Sequence, residues 1–118
     1  MAGRLAVLPA ALLAAALVPA LVGAAPRASQ PAARPARELA VAIDGMTFTP
    51  ATLAVRPGDR VTWVNKDLVP HTVTARDGRF DSKTIAAGAS FAWVANGSGR
   101  IDYACAYHPT MVATLTLP

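Results

Sequence analysis

Hydrophobic and polar residues alternate in short runs from residue 38 to the end of the chain, and turn-forming residues separate these runs. Alternation with a period of two is typical of strands that bury one face. No stretch after Glu38 has a convincing helical period. The pattern predicts seven strands, at Glu38–Ile43, Thr52–Val55, Arg60–Asn65, His71–Ala75, Ser90–Val94, Arg100–Cys105 and Val112–Leu117. Seven to eight short strands at this spacing indicate an all-β sandwich.

The same alternation predicts which side chains point into the core. His71 shares a face with Val73, and Cys105 shares a face with Ile101 and Tyr103. Both His71 and Cys105 are therefore expected to point inward from strand ends. The large aromatic side chains are also expected in the core, namely those of Trp63, Phe91, Trp93 and Tyr103.

The first part of the chain has a different pattern. Arg4 precedes an uncharged apolar run from Leu5 to Ala25 that ends in small residues. This is the pattern of a secretory signal peptide at residues 1–24, cleaved after Ala24, which predicts a periplasmic or otherwise exported protein without a membrane segment after cleavage. The alternative is an uncleaved membrane anchor, because about 20 apolar residues can span a bilayer.

A linker rich in proline and alanine is predicted at residues 25–37, and one folded domain at residues 38–118. The net charge of +4 arises before Glu38, because the acidic and basic residues of the predicted domain balance. A neutral domain gives no electrostatic support for a nucleic-acid partner, and none is expected. Any partner is expected to dock on an apolar surface, and the protein is expected to be a monomer.

The only cysteine of the chain opens a motif of possible metal ligands. Cys105, His108 and Met111 have the spacing Cys-x-x-His-x-x-Met, and the only other histidine is His71. A thiolate, two imidazoles and a thioether form a soft set, and His₂Cys with a weak axial Met is typical of blue-copper sites. Structural zinc usually takes several cysteines, and calcium prefers oxygen ligands.

Other interpretations of these residues stay open at this point. A single cysteine at a strand end is often a small buried hydrophobic residue, and a single histidine is often an ordinary hydrogen-bonded one. A thiol-nucleophile enzyme with a Cys105–His pair is a further alternative. It leaves Met111 and the second histidine without a role, and no residue that would orient the pair is evident.

Two segments resemble the cupredoxins, small blue-copper proteins, and most closely the amicyanin-like group. They are VTWVNKDLVPHTV and YACAYHPTM, at residues 61–73 and 103–111. The resemblance extends over 38–118 and implies an eight-stranded Greek-key sandwich with one copper ion near one end. It implies His71, Cys105, His108 and Met111 as the metal ligands. Asn65 would link the first ligand segment to the cysteine loop.

Two positions depart from the family pattern. Tyr107 occupies a place where the family often has proline, and Ala113 one where it often has glycine. Neither change removes a ligand. Because both changes affect the backbone of the ligand loop, the sequence does not determine the conformation of that loop or the reduction potential.

The resemblance implies a one-electron carrier that cycles between Cu(II) and Cu(I), with redox protein partners that dock near His108. No enzymatic activity is expected, because a copper oxidase or nitrite reductase needs further histidines for a second copper centre. One alternative is a periplasmic copper-binding or delivery protein that uses the same ligands. Another is a membrane-anchored electron-entry module, held by an uncleaved segment Leu5–Ala25.

Overall fold

A computed structural model describes residues 2–20, 23 and 34–118. Residues 2–20 contain no regular secondary structure, and residues 34–118 form a compact unit. No helix occurs among the described residues, and so none of membrane-spanning length is found there. The predicted cleavage site after Ala24 and most of the predicted linker lie outside the described residues.

In the described part of the chain, eight strands form two four-stranded sheets. The first sheet has the order β2-β1-β4-β6 and the second has the order β3-β8-β7-β5. The pairs β1–β4 and β3–β8 are parallel, and the other pairs are antiparallel. The predicted all-β sandwich is confirmed. Its strands are β1 (Glu38–Asp44), β2 (Thr47–Thr49), β3 (Thr52–Ala54), β4 (Arg60–Asn65), β5 (Thr74–Ala75), β6 (Ser90–Val94), β7 (Gly99–Ala104) and β8 (Val112–Leu117).

The two sheets bury most of the side chains that the alternating pattern assigned to the core. Trp63 of β4 and Tyr103 of β7 are fully buried and contact each other edge to face across the sandwich. The indole N–H of Trp63 donates a hydrogen bond of 3.2 Å to the Tyr103 hydroxyl, which gives both polar groups a partner inside the core. Burial raises the pKa of Tyr103 to about 12. Phe91 and Trp93 are only partly buried and pack against this core.

Two elements differ from the sequence prediction. The strand predicted at His71–Ala75 is reduced to Thr74–Ala75, because the backbone N–H groups of Thr72 and Val73 donate to side chains instead of to a strand. The acceptors are the thiol of Cys105 and the hydroxyl of Ser82. The short strand β2, which pairs with the end of β1, was not predicted.

The start of β1 is fixed by an ion pair with the turn before β4. Arg37 donates its backbone N–H to Asp59 at 3.0 Å and its guanidinium to the same carboxylate at 2.7 Å. The backbone N–H of Arg56 also donates to Asp59, at 2.9 Å. These charge-assisted hydrogen bonds lower the pKa of Asp59 to about 2, with the Arg37 side chain as the largest cause.

Candidate metal centre

The candidate ligands come from two loops at one end of the sandwich. His71 lies in the connection between β4 and β5, where it exchanges two backbone hydrogen bonds, of 3.1 and 2.7 Å, with Ile85. Cys105 is the first residue after β7, and His108 follows three residues later in the loop that leads to β8. Cys105 therefore lies at the end of a strand, as the sequence pattern predicted, whereas His71 lies three residues before β5.

Three possible ligand atoms meet in this place. Cys105 Sγ lies 3.7 Å from His71 Nδ1 and 3.6 Å from His108 Nδ1. The three ligand atoms all lie within 4.8 Å of one another. His71 and Cys105 are fully buried, whereas His108 is partly exposed to solvent. The cluster thus has two donors inside the protein and one at its surface.

The loop from Cys105 to Met111 is closed by its own backbone. His108 N–H donates to the Cys105 carbonyl at 3.3 Å, and Met111 N–H donates to the His108 carbonyl at 2.8 Å. Cys105 N–H in turn donates to the Met111 carbonyl at 3.0 Å. These bonds bring the backbone of Met111 next to that of Cys105. Met111 is buried, with 4% of its surface exposed. The role of Met111 as a fourth ligand stays a prediction.

The surroundings of the Cys105 thiol favour its thiolate form. Burial by itself would raise the pKa of the thiol, but several hydrogen-bond donors outweigh this effect and lower the pKa to about 6. The donors include the backbone N–H of Thr72, at 3.3 Å, and the backbone N–H of Tyr107. A thiolate is the form of cysteine that binds metals.

Thr72 links the two ligand loops. In addition to its N–H bond to Cys105, its hydroxyl accepts a hydrogen bond of 2.7 Å from the backbone N–H of Ala106. The family resemblance implied Asn65 for this link, and that assignment is wrong for the described residues. The amide of Asn65 donates at 2.9 Å to the carbonyl of Val69, in the His71 loop, and at 3.0 Å to that of Ile85, between β5 and β6, and neither acceptor lies in the cysteine loop.

Asp67 makes a second contact with the cluster that was not predicted from the sequence. Its carboxylate lies 2.8 Å from His71 Nε2, the ring nitrogen that faces away from Cys105. Hydrogen bonds from the backbone of Met46, and also those from Gly45 and His71, lower the pKa of Asp67. The available signal was its position four residues before His71, but the sequence alone does not show that the loop folds back at this point.

Several large apolar side chains are exposed on the loops that carry the cluster. Tyr107 has half of its surface exposed, and its hydroxyl forms a hydrogen bond with the hydroxyl of Thr84. On the His71 loop Leu68 is almost fully exposed and Val69 is exposed in part, and Met46 is exposed in part in the turn between β1 and β2. Large exposed apolar side chains that are close together on a small protein indicate an interaction surface.

The donor set fits a soft transition metal. One thiolate and two imidazoles suit copper, and an apolar, mostly buried setting protects the thiolate from solvent. Structural zinc would usually have four closed ligands, most of them cysteines, and the chain has only one cysteine. The three donors therefore fit a single copper ion.

Comparison with known proteins agrees with this chemistry. The cupredoxin-like domain family matches residues 11–117. Amicyanin of Paracoccus versutus is 29% identical over 81 residues, which are 64% of this chain, and the match spans 61% of the length of that relative. An oxidised methionine-to-leucine mutant of amicyanin superimposes with a TM-score of 0.64 at 25% identity, over 68% of this chain and 81% of that one.

A purple cupredoxin from Nitrosopumilus maritimus has a TM-score of 0.61 at 26% identity, over 68% of this chain and 99% of that one. The resemblance to amicyanin-like cupredoxins inferred from the sequence is thus confirmed. Because the family match includes nearly the whole chain, this protein belongs to the cupredoxin-like domain family, whose members bind copper.

Proposed function

We propose that this protein is an exported one-electron carrier, with His71, Cys105 and His108 as copper ligands and Met111 as a weak fourth ligand. The observation that supports the proposal most strongly is the convergence of three soft donors within 4.8 Å, two of them fully buried. Copper in such a site supplies a one-electron couple between Cu(II) and Cu(I). The proposal includes no enzymatic activity and one copper ion per chain.

The chain itself restricts the positions of the proposed ligands. The backbone bonds of the 105–111 loop and the Thr72 contacts restrict Cys105 on both sides. His71 is restricted by Ile85 and Asp67. Ligands that cannot move far favour a similar geometry in both redox states, and small rearrangement favours fast electron transfer.

The partly exposed His108 provides the route between the buried site and a partner. The surrounding residues are apolar, and the unit from 38 to 118 is neutral overall. A redox protein partner would dock on this apolar surface, with little dependence on ionic strength. No nucleic acid is a partner in this proposal, and the carrier is a monomer.

The proposed location of the carrier rests on the predicted signal peptide. Residues 1–24 act as a signal peptide in this proposal, residues 25–37 as a linker, and residues 38–118 as the working domain in the periplasm or an equivalent compartment. Membrane and soluble fractions of the producing cells, probed with an antibody, test this part. Mature protein confined to the soluble fraction supports it, and full-length protein held in the membrane contradicts it.

Two rates measured on one sample, electron self-exchange and copper loss to a chelator, distinguish an electron carrier from a copper-delivery protein. A carrier should show reversible voltammetry and electron self-exchange that broadens the NMR lines of mixed Cu(I) and Cu(II) protein, while copper stays bound for hours in the presence of a Cu(I) chelator. Rapid loss of copper to the chelator together with slow self-exchange would contradict the carrier proposal and favour delivery.

A further inference from the structure

The strongest feature outside the ligand set is the carboxylate behind His71. Nδ1 of His71 faces Cys105 Sγ at 3.7 Å, and Nε2 of the same ring faces Asp67 Oδ2 at 2.8 Å. The ring is fully buried, and the side chain of Asp67 is 14% exposed. The ring therefore has the thiol on one side and a nearly buried carboxylate on the other.

Asp67 is held in this position from several directions. Its Oδ1 accepts the backbone N–H of Gly45 at 2.7 Å, and its Oδ2 accepts the backbone N–H of Met46 at 3.0 Å. Its own backbone N–H donates to Asn65 Oδ1 at 3.0 Å. A carboxylate with both oxygens occupied by N–H donors cannot rotate freely, so its contact with His71 is fixed.

These contacts determine the tautomer of His71. An ionised carboxylate can only accept hydrogen bonds, and both oxygens of Asp67 already accept from backbone N–H groups. The ring nitrogen beside it must then carry a proton, which leaves the lone pair of Nδ1 directed toward Cys105. Without Asp67, the buried N–H of His71 would have no partner in its present position.

We propose that Asp67 is a positioning residue of the copper site, which fixes the orientation and tautomer of His71 and stabilises Cu(II) relative to Cu(I). The proposal rests on the proposed function, since it assumes that His71 is a copper ligand. A negative charge that accepts a hydrogen bond from an imidazole increases the electron donation of the ring to a bound metal. The effect is greater for the doubly charged oxidised ion, so Asp67 lowers the reduction potential.

The purely structural alternative is that Asp67 only holds the turn between β1 and β2. In that case, removing it would lower stability but would change neither the ring of His71 nor the potential. Asp81 offers a matched control, because it too accepts a turn N–H, that of Lys83 at 2.9 Å, and it lies in an ion pair with the same residue. Neither contact of Asp81 with Lys83 involves a proposed ligand.

The experiment compares Asp67→Asn, Asp67→Ala and Asp81→Asn with the unmodified protein. Asn keeps an oxygen that can accept the His71 N–H but carries no charge. Ala removes both the acceptor and the charge. Loss of such an outer contact typically weakens metal binding about 10–100-fold, and we expect this loss mainly for Cu(II). If the affinity for Cu(II) falls tenfold relative to the affinity for Cu(I), the one-electron potential rises by about 59 mV. Asp81→Asn should leave the potential unchanged.

A second readout does not depend on copper function. Nitrogen-15 NMR of the His71 ring in copper-free protein should show the proton on Nε2 in the unmodified chain and a mixture of tautomers in Asp67→Ala. If Asp67→Ala does not fold, Asp67→Asn still gives the comparison of potentials. An unchanged potential in Asp67→Asn, or an unchanged tautomer in Asp67→Ala, overturns the inference. Failure of the unmodified protein to bind copper would overturn the proposed function, while the NMR result still decides whether Asp67 orients the ring.

Discussion

The hydroxyl of Thr72 accepts a hydrogen bond of 2.7 Å from the backbone N–H of Ala106, and this bond joins the His71 loop to the Cys105 loop. Thr72 is buried and also bonds to Thr74. The residue next to one proposed ligand therefore contacts the residue next to another. The Thr72 side chain therefore helps to set the relative position of the two loops.

Replacing Thr72 with Val should destabilise the protein and loosen the site. Val keeps the branched shape but removes the hydroxyl that accepts the Ala106 N–H, and a hydrogen bond of this kind contributes about 0.5–1.5 kcal/mol. Urea unfolding of the copper-free protein measures the loss. Thr72→Ser is the matched control, because it keeps the hydroxyl and should retain most of the stability. Equal stability of the Val and Ser variants would show that the hydrogen bond contributes nothing.

Replacing Tyr107 with Pro should lower the reduction potential. The backbone N–H of Tyr107 is one of the groups that stabilise the Cys105 thiolate, and proline has no N–H. With one donor fewer, the sulfur donates more strongly to Cu(II). The expected shift is about 40 mV, which corresponds to a hydrogen bond of ~1 kcal/mol in a one-electron couple.

Tyr107→Phe is the control for this substitution. It keeps the backbone N–H and removes only the hydroxyl that bonds to Thr84. Voltammetry should give the same potential for the Tyr107→Phe variant as for the unmodified chain. If Tyr107→Phe shifts the potential as far as Tyr107→Pro does, the hydroxyl contact and not the backbone donor is responsible.

Replacing Met111 with Leu should leave copper bound and raise the potential. Leu is close to Met in volume, so the buried loop should lose less than about 1.5 kcal/mol of stability. The thioether is a weak donor, and its loss disfavours Cu(II) more than Cu(I). Met111→Gln should have the opposite effect, because an amide oxygen is a harder donor. Equal potentials for Leu, Gln and Met at this position would show that Met111 is a core residue and not a ligand.

Lowering the pH should decrease the stability of the folded domain, because Asp59 becomes protonated. Its pKa is about 2 in the folded protein, below the ordinary value of 3.8. Because the folded pKa is the lower one, the stabilisation is complete above the ordinary pKa and is lost as the pH falls toward about 2. Unfolding measured across this range should show the decrease, and a smaller one in Asp59→Asn. Asp77→Asn breaks an exposed ion pair with Arg79 and serves as the control. The same pH slope in Asp59→Asn as in the unmodified chain would contradict the assignment.

The alternating pattern was sufficient to predict the sandwich and the inward direction of His71 and Cys105, because burial of one face imposes a period of two. It did not reveal β2, which pairs with β1 across the turn at Gly45, although it predicted the equally short β3. The alternating pattern also could not predict the roles of Thr72 and Asp67. They depend on which backbone groups of a distant loop lie within hydrogen-bond distance, and this is decided by tertiary packing.

The visible absorption spectrum of the copper-loaded protein tests the central claim most directly. Charge transfer from the Cys105 thiolate to Cu(II) should give an intense visible band that disappears on reduction, and the band should be absent in Cys105→Ser. A colourless protein that holds one equivalent of Cu(II), or a band that survives in Cys105→Ser, would contradict the account.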